Sequence, residues 1–456
     1  MRPHDIFAVP VLDKFLIYSP LQKISALVNH SGVVFLKDYY SQSTSQHQNL
    51  SELVRLFDTT PQLSLETRQG RLKDPLFLGL IPTRGCNMQC VYCDFDAQHN
   101  MGPVMSFDLA RQAIDAYFEL LIRENCQRAD IQFFGGEPFF VPDVVLFAEA
   151  YGRRWAEQAG LPIHFEVTTN GLFDARLANW IADHFDTVVL SLDGPEDIME
   201  SLRPAKHKKP VFPTVYRSAK IFSKGTVGLI LRVCVNQDTV TRLPEIAEWM
   251  VDQFIPEAVC FEVLHPTPQS TAAGLEIPDP FIFAQQFNRA AELLEARGIT
   301  AIHSTACVDT SHLSFCPVGK DALIVTPDGK VNACYLPEAA WQEKGLSFQF
   351  GWVKDGHFEL DSATVDAIRQ QSVLNKPGCQ DCICQFHCAG GCHVRQNGQI
   401  GFNILTDHCL QTRLITISNL LRGLGQAEAA GQWLAAAVDD PSLRHKQSDR
   451  LRNFNG

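Results

Sequence analysis

The chain has 456 residues, 45% of them apolar, and a formal charge of −12; this suits a globular protein with two or three cores and excludes a broad nucleic-acid footprint, because phosphate binding needs concentrated Lys and Arg. The basic stretches at 203–209 and 444–452 read as solvated surface. Fifteen cysteines would mean disulfides in a small secreted domain, yet no signal peptide opens the chain and no run approaches a membrane span, so a reducing cytoplasm is expected, where cysteines point to metal or redox chemistry.

Residues 1–76 contain no cysteine. Runs at 15–18, 24–28 and 33–36 read as three short strands, with Asn29-His30-Ser31-Gly32 as the turn between the second and third. A helical run at 50–57 follows a polar loop. From 77 to about 300, short β-rich runs at 77–82, 130–134, 164–168, 187–192, 229–235 and 258–264 alternate with amphipathic ones at 106–125, 142–159, 174–185, 215–223, 243–253 and 280–297. Six strand-helix units imply a parallel sheet with right-handed crossovers, whose chemistry belongs at the C-terminal strand ends. Helical patterns at 412–424 and 427–437 follow the last cysteine, and a mobile polar end is expected at 442–456.

Cys86, Cys90 and Cys93 follow the first of the six strands with spacings x3 and x2. A 4Fe-4S cube normally takes four thiolates, so three leave one iron open to a small molecule. A structural zinc knuckle is the alternative, although zinc sites usually pair two C-x2-C units and close the tetrahedron. Gly135-Gly136-Glu137-Pro138 follows the second strand, Thr168-Thr169-Asn170-Gly171 the third, and Ser191-Leu192-Asp193-Gly194 closes the fourth. The two glycines let the backbone approach a ligand; the Asn-Gly and Asp-Gly pairs are also ordinary turn chemistry.

The three-cysteine loop, with Tyr92 before its last cysteine, resembles the signature of the radical S-adenosylmethionine (radical SAM) superfamily. The resemblance implies a partial (β/α)6 barrel, S-adenosylmethionine chelated to the free iron, and contacts to it from Gly135, Gly136, Glu137, Asn170, Ser191 and Asp193. Arg232, on the fifth strand, is expected to pair with the cofactor's carboxylate, or else to face solvent or pair with a neighbouring acid.

Downstream stand Cys316, then Cys334, then Cys379, Cys382, Cys388, Cys392 and Cys409. This array looks like the seven-cysteine SPASM pattern that accompanies radical SAM maturases of peptides and proteins, and it implies two auxiliary 4Fe-4S clusters. By that resemblance Cys379, Cys382, Cys388 and Cys409 would hold one, and Cys316, Cys334 and Cys392 the other, with Cys307 as its nearest fourth ligand. Cys126, Cys234, Cys260 and Cys384 stay unassigned, Cys384 being an alternative ligand. His387, His393 and His408 adjoin this array, as residues hydrogen-bonding the clusters or as surface histidines.

The resemblance divides the chain into a small α+β segment at 1–76, the barrel at 77–300, the cysteine-rich region at 301–420 and a helix with a polar tail at 421–456. Residues 1–76 are similar to the winged-helix-like domain that captures a leader peptide by strand addition; a barrel cap without recognition is the other reading. The expected function is oxidative cross-linking of a ribosomally made precursor peptide, with a flavodoxin- or ferredoxin-type electron donor and neither nucleic acid nor membrane as partner. Alternatives are formylglycine formation of the anaerobic sulfatase-maturase type, peptide epimerisation, and a non-enzymatic electron carrier. Maturases of the sulfatase type place an Asp directly after the second cysteine of the array, where this chain has Tyr335.

Overall fold

The computed structural model describes residues 6–40, 51–95, 97, 102–206, 209–396, 406–440 and 443. The chain opens with a 3-stranded antiparallel sheet of β1 (Phe7–Val11), β2 (Lys14–Ser19) and β3 (Ile24–Val28), in that order. Alternation along the strands splits its side chains between two cores. Ile6, Ala8, Ile17, Ile24 and Val28 pack under the helices His30–Tyr40 and Ser51–Thr59, while Phe7, Val9, Val11, Leu16 and Tyr18 join the main core.

The strand expected at 33–36 is helical instead. Asn29 Oδ1 accepts from Gly32 N at 3.0 Å and starts the helix. Gly32, Val33, Phe35 and Leu36 are buried while Val34 is exposed, which is the face of a helix and not the alternation of a strand. The place in the sheet goes to β1, which pairs with β2. Most of the polar end at 442–456 and part of the basic stretches lie outside the described residues.

The main sheet has eleven strands. Its six barrel strands are β4 (Leu78–Leu80), β5 (Ala129–Phe133), β6 (Ile163–Thr169), β7 (Thr187–Ser191), β8 (Gly228–Val235) and β9 (Ala258–Val263), all parallel and in sequence order, as expected. Helices such as Phe107–Arg123 and Ala175–His184 connect them. Ser106 and Asp174 cap these two, accepting from Leu109 N at 3.0 Å and Leu177 N at 2.8 Å.

Two extensions escaped the sequence reading. β10 (Thr300–Ile302) adds a parallel strand beside β9. On the opposite edge β11 (Leu323–Val325) pairs in parallel with β4, and β12 (Lys330–Asn332), β13 (Gln349–Lys354) and β14 (His357–Leu360) continue the sheet antiparallel. The cysteine-rich region is thus sewn onto the strand that leads into the three-cysteine loop. A buried bidentate ion pair anchors the seam: Arg369 donates to Asp321 at 2.9 and 2.7 Å, two residues before β11. Removing one member of such a pair strands a buried charge at a cost of about 3–5 kcal/mol. Arg369→Ala is therefore expected to lower the unfolding free energy extrapolated from a urea titration by that order, whereas substitution of the exposed Arg297 leaves it nearly unchanged.

Candidate functional site

Where β4 ends, the chain turns into the loop carrying Cys86, Cys90 and Cys93, and two neighbouring segments hold that loop. Beneath it runs the Gly135-Gly136-Glu137 segment after β5. Gly136 N donates to Thr83 O at 3.1 Å and Glu137 N to Gly85 O at 2.9 Å. A Cβ on Gly136 would lie 2.2 Å from Gly85 O, and one on Gly135, at φ 145°, 2.5 Å from Thr83 O. The glycines thus serve backbone-to-backbone packing against the cysteine loop. Glu137, fully buried, accepts from Phe139 N (3.1 Å), Thr169 Oγ1 (2.8 Å) and Asn170 N (2.7 Å), tying the ends of β5 and β6 together. Burial pushes its carboxyl up to about 7 against the pull of these donors.

On the other side lies the segment after the helix Glu196–Leu202. Gln89 N donates to Pro204 O at 2.8 Å and Val91 N to Leu202 O at 3.0 Å. Arg203, expected on the surface, is buried. Its Nε donates to Asp193 Oδ2 at 2.7 Å, its guanidinium lies 5.2 Å from the Tyr92 ring centroid, and its Nη1 stands 3.9 Å from Cys90 Sγ. Asp193 also accepts from Tyr92 OH at 2.6 Å and Cys234 N at 2.9 Å. Its carboxylate thus holds the cysteine loop, and the residue is absent from the lining of the cavity that the loop borders. Asn170 Nδ2 reaches Cys86 Sγ at 3.5 Å and Asn87 Oδ1 at 2.8 Å.

All three cysteines of this loop border one cavity of about 520 Å³ at the C-terminal mouth of the barrel. Gly135, Gly136, Glu137, Asn170, Ser191 and Arg232 line it too. Ser191, Arg232 and Cys260 stand side by side in register across β7, β8 and β9. From the cysteine-rich region come Cys316, Cys334 and Cys392. The β11–β12 hairpin delivers Cys334, beside Arg84 of the cysteine loop, whose Nη1 stands 3.4 Å from Tyr335 O. Cys334 is pushed up by burial and by its neighbours Cys316 and Cys392. A second group converges outside the cavity lining, where Cys388 is raised by burial and by Cys409, Cys382 and Cys379. Cys307 stands apart from the first group, near His303 O at 3.6 Å and beside Glu262 and Asp309. Cys384 is buried next to Cys382 and Cys388.

None of the three histidines is a plain surface residue. His387 and His393 are buried, bonded to Thr416 Oγ1 at 3.0 Å and Ser314 Oγ at 3.2 Å, and burial brings both down to about 3. His408 is half-buried and lowered to about 4 for the same reason.

Cavity residues the sequence did not single out include Gln132, Glu166, Glu262, Ser304 and Arg395. Their signal was positional: Gln132, Glu166 and Glu262 sit on barrel strands at inward positions, polar among apolar neighbours. Arg395 pairs with Asp94, directly after Cys93, and so bridges the two cysteine regions. Tyr335 packs 4.7 Å from the Phe134 ring and 6.2 Å from the Phe77 ring, its hydroxyl 3.4 Å from Gln132 Oε1.

A parallel half-barrel whose first strand ends in three spaced thiols is the arrangement of a radical SAM domain, and residues 80–250 match the radical SAM superfamily. Over 197 residues the chain is 25% identical to the cysteine-type anaerobic sulfatase-maturating enzyme of Clostridium perfringens (strain 13 / Type A), covering 42% of this chain and 53% of that protein; it spans about half the length of that curated relative. Native anSMEcpe with bound AdoMet and Cp18Cys peptide superposes with a TM-score of 0.60 at 19% identity, over 78% of this chain and 99% of that one. Streptococcus suis SuiB bound to precursor peptide SuiA gives 0.50 at 13%, over 86% and 95%. These structures share the fold of most of the chain.

The cofactors of the superfamily are a 4Fe-4S cluster and S-adenosylmethionine, and the donor set fits them. Three thiols stand on the wall of a cavity roomy enough for a nucleoside, and the glycine segment keeps the loop backbone close. Among the described residues no three His, Cys, Asp or Glu side chains converge as ligands of a single ion; a four-iron cube instead separates its thiolates by its own width. Burial pushes Cys86 up to about 12 and Cys90 to about 11, so cluster insertion displaces protons. Gly136→Ala is expected to lower the iron and sulfide content of the anaerobically reconstituted protein, because a methyl there would collide with the backbone of the cysteine loop.

Proposed function

We propose that the chain is a radical SAM maturase that modifies residues of a ribosomally made precursor peptide by oxidative cross-linking, forming a thioether or carbon-carbon bond. One observation carries this reading: the thiols of the three-cysteine loop and those of Cys316, Cys334 and Cys392 line the same cavity. A substrate held there would face a site of hydrogen abstraction and an outlet for the electron that remains. Cys86, Cys90 and Cys93 would hold the cluster that binds S-adenosylmethionine; Cys316, Cys334 and Cys392 would hold one auxiliary cluster, with Cys307 or an exogenous ligand completing it, and Cys379, Cys382, Cys388 and Cys409 the other. Bound there, the cluster and S-adenosylmethionine supply a 5′-deoxyadenosyl radical able to take a hydrogen atom from an unactivated carbon.

The protein's own part is positioning, exclusion of water and proton transfer. Gly135, Gly136 and Asn170, which line the cavity, would meet the cofactor, as would Ser191 and Arg232. Glu166 lines the cavity beside Tyr335, half-buried, and accepts no hydrogen bond among the described residues. Burial raises its carboxyl, and it is the group we assign to take the proton that leaves the substrate as the new bond forms. Tyr335 supports the choice of outcome: burial and Glu166 hold the phenol well above its ordinary range, so it does not replace the carboxylate base of the sulfatase-type enzymes. The formylglycine reading keeps the support of the Clostridium perfringens likeness. Reducing equivalents would come from a flavodoxin or ferredoxin, and a cytoplasmic setting fits the fifteen disulfide-free cysteines; among the described residues no helix is long and apolar enough to cross a membrane. In the leading segment β3 is the accessible edge, with Ser25, Ala26 and Leu27 half-buried and β2 on one side only, so the leader would add there.

The anaerobically reconstituted protein is expected to cleave S-adenosylmethionine, and joint replacement of Cys86, Cys90 and Cys93 by Ala to abolish this; undiminished 5′-deoxyadenosine from the triple variant would refute the site. Coexpressed precursor should become lighter by about two hydrogens by mass spectrometry, the loss that one oxidative cross-link entails. An unchanged mass with solvent deuterium would indicate epimerisation, and a hydrazine-reactive aldehyde the formylglycine reaction. Glu166→Gln should lower product formed per 5′-deoxyadenosine and flatten a rate that in the parent rises with pH, because only the ionised carboxylate accepts a proton. Of Ala26→Pro and Leu27→Pro, one turns the lost N–H toward β2 and the other toward the open edge; the variant that keeps the parent melting temperature should bind full-length precursor more weakly by calorimetry.

A further inference from the structure

Between the two cysteine groups of the C-terminal region the chain runs Cys388-Ala389-Gly390-Gly391-Cys392, the shortest covalent path from one group to the other. Ala389, Gly390 and Gly391 all have positive φ, at 47°, 80° and 65°, which coils the path tightly. Lys376 lies across it. A Cβ on Gly390 would meet Lys376 Cδ at 2.5 Å and Nζ at 2.7 Å, so the glycine makes room for this side chain. The ammonium donates to Gly390 O at 3.4 Å and approaches His393 Nδ1 at 3.5 Å. Its neighbours include Cys379 and Cys388 of one group and Cys316 and Cys392 of the other. Lys320, by contrast, has Cys316 as its thiol neighbour.

We propose that Lys376 is a positioning residue shared by the two auxiliary clusters, a single cation seated between them that favours the reduced state of both. This rests on the assignment of two auxiliary clusters to the seven cysteines. A 4Fe-4S cube with thiolate ligands gains negative charge on reduction, and its potential follows the charge and hydrogen bonding around it. A fixed ammonium beside both cubes stabilises the added electron on either one. It also screens their mutual repulsion, so that an electron arriving at the cluster lining the cavity can be passed to the second.

The test uses the full-length chain carrying Ala at Cys86, Cys90 and Cys93, so that only the auxiliary clusters remain. This parent should hold about eight irons, two cubes of four, and show two reduction potentials in an anaerobic titration followed by electron paramagnetic resonance. Lys376→Gln at unchanged iron should shift both potentials to more negative values, Lys376→Arg should restore them, and Lys320→Gln should move one. Both potentials unmoved, or only one moved, in the Gln variant at full iron would overturn the shared cation; so would loss of iron from that variant, which would make Lys376 a structural residue. Iron far below eight in the parent would instead overturn the two-cluster assignment, and the proposal with it.

Discussion

The structure depends on a buried guanidinium. Arg203 enters the interior because Asp193 neutralises it, the Tyr92 ring faces it and the Cys90 thiol ends beside it. A desolvated charge of this kind is tolerated only with its partners in place, so the fourth strand end, the segment at 202–205 and the cysteine loop are obliged to fold together. The glycine pair after β5 supplies the complementary constraint from below, where two carbonyl oxygens leave no volume for a side chain. A loop with few internal hydrogen bonds is in this way held at both flanks by its neighbours.

The chemistry of the cavity follows from what those constraints leave over. Asp193 and Arg203 satisfy one another, and Glu262 is occupied by Ser304, Cys260 and His303. Other polar groups that line the cavity include Gln132, Glu166, Asn170, Ser191 and Arg232. Burial raises the thiols of Cys86, Cys90, Cys316, Cys334 and Cys392, so a metal that binds them displaces their protons. Burial holds His387 and His393, next to Cys388 and Cys392, below the usual imidazole range, while Lys376 lies near thiols of both groups.

Much of this was legible in the sequence because the six barrel strands are short and β-rich and the helices between them amphipathic; each falls within a few residues of its expected place. The cysteine loop and the Gly-Gly-Glu segment were legible for another reason, since their chemistry is local and their spacing small. Asp193 and Arg203 were not. A basic residue in a charged stretch looks solvated until the fold brings an acid ten positions upstream to meet it. Val33 to Leu36 misled because an apolar run of β-branched and aromatic residues carries no period of its own; Asn29 and the tertiary contacts of Phe35 and Leu36 decide for helix. β10 and β11 are only three residues long, too short for any periodicity, and owe their existence to the open edges of the sheet they join.

The joining of β11 to β4 has a mechanical consequence. Backbone hydrogen bonds between these two strands, continued through β12, leave no hinge between the barrel and the region bearing Cys334. The hairpin that delivers Cys334 and the strand that leads into the cysteine loop therefore reach the cavity as adjacent, hydrogen-bonded parts of one sheet. Moving one against the other would break the backbone pairing of β4 with β11.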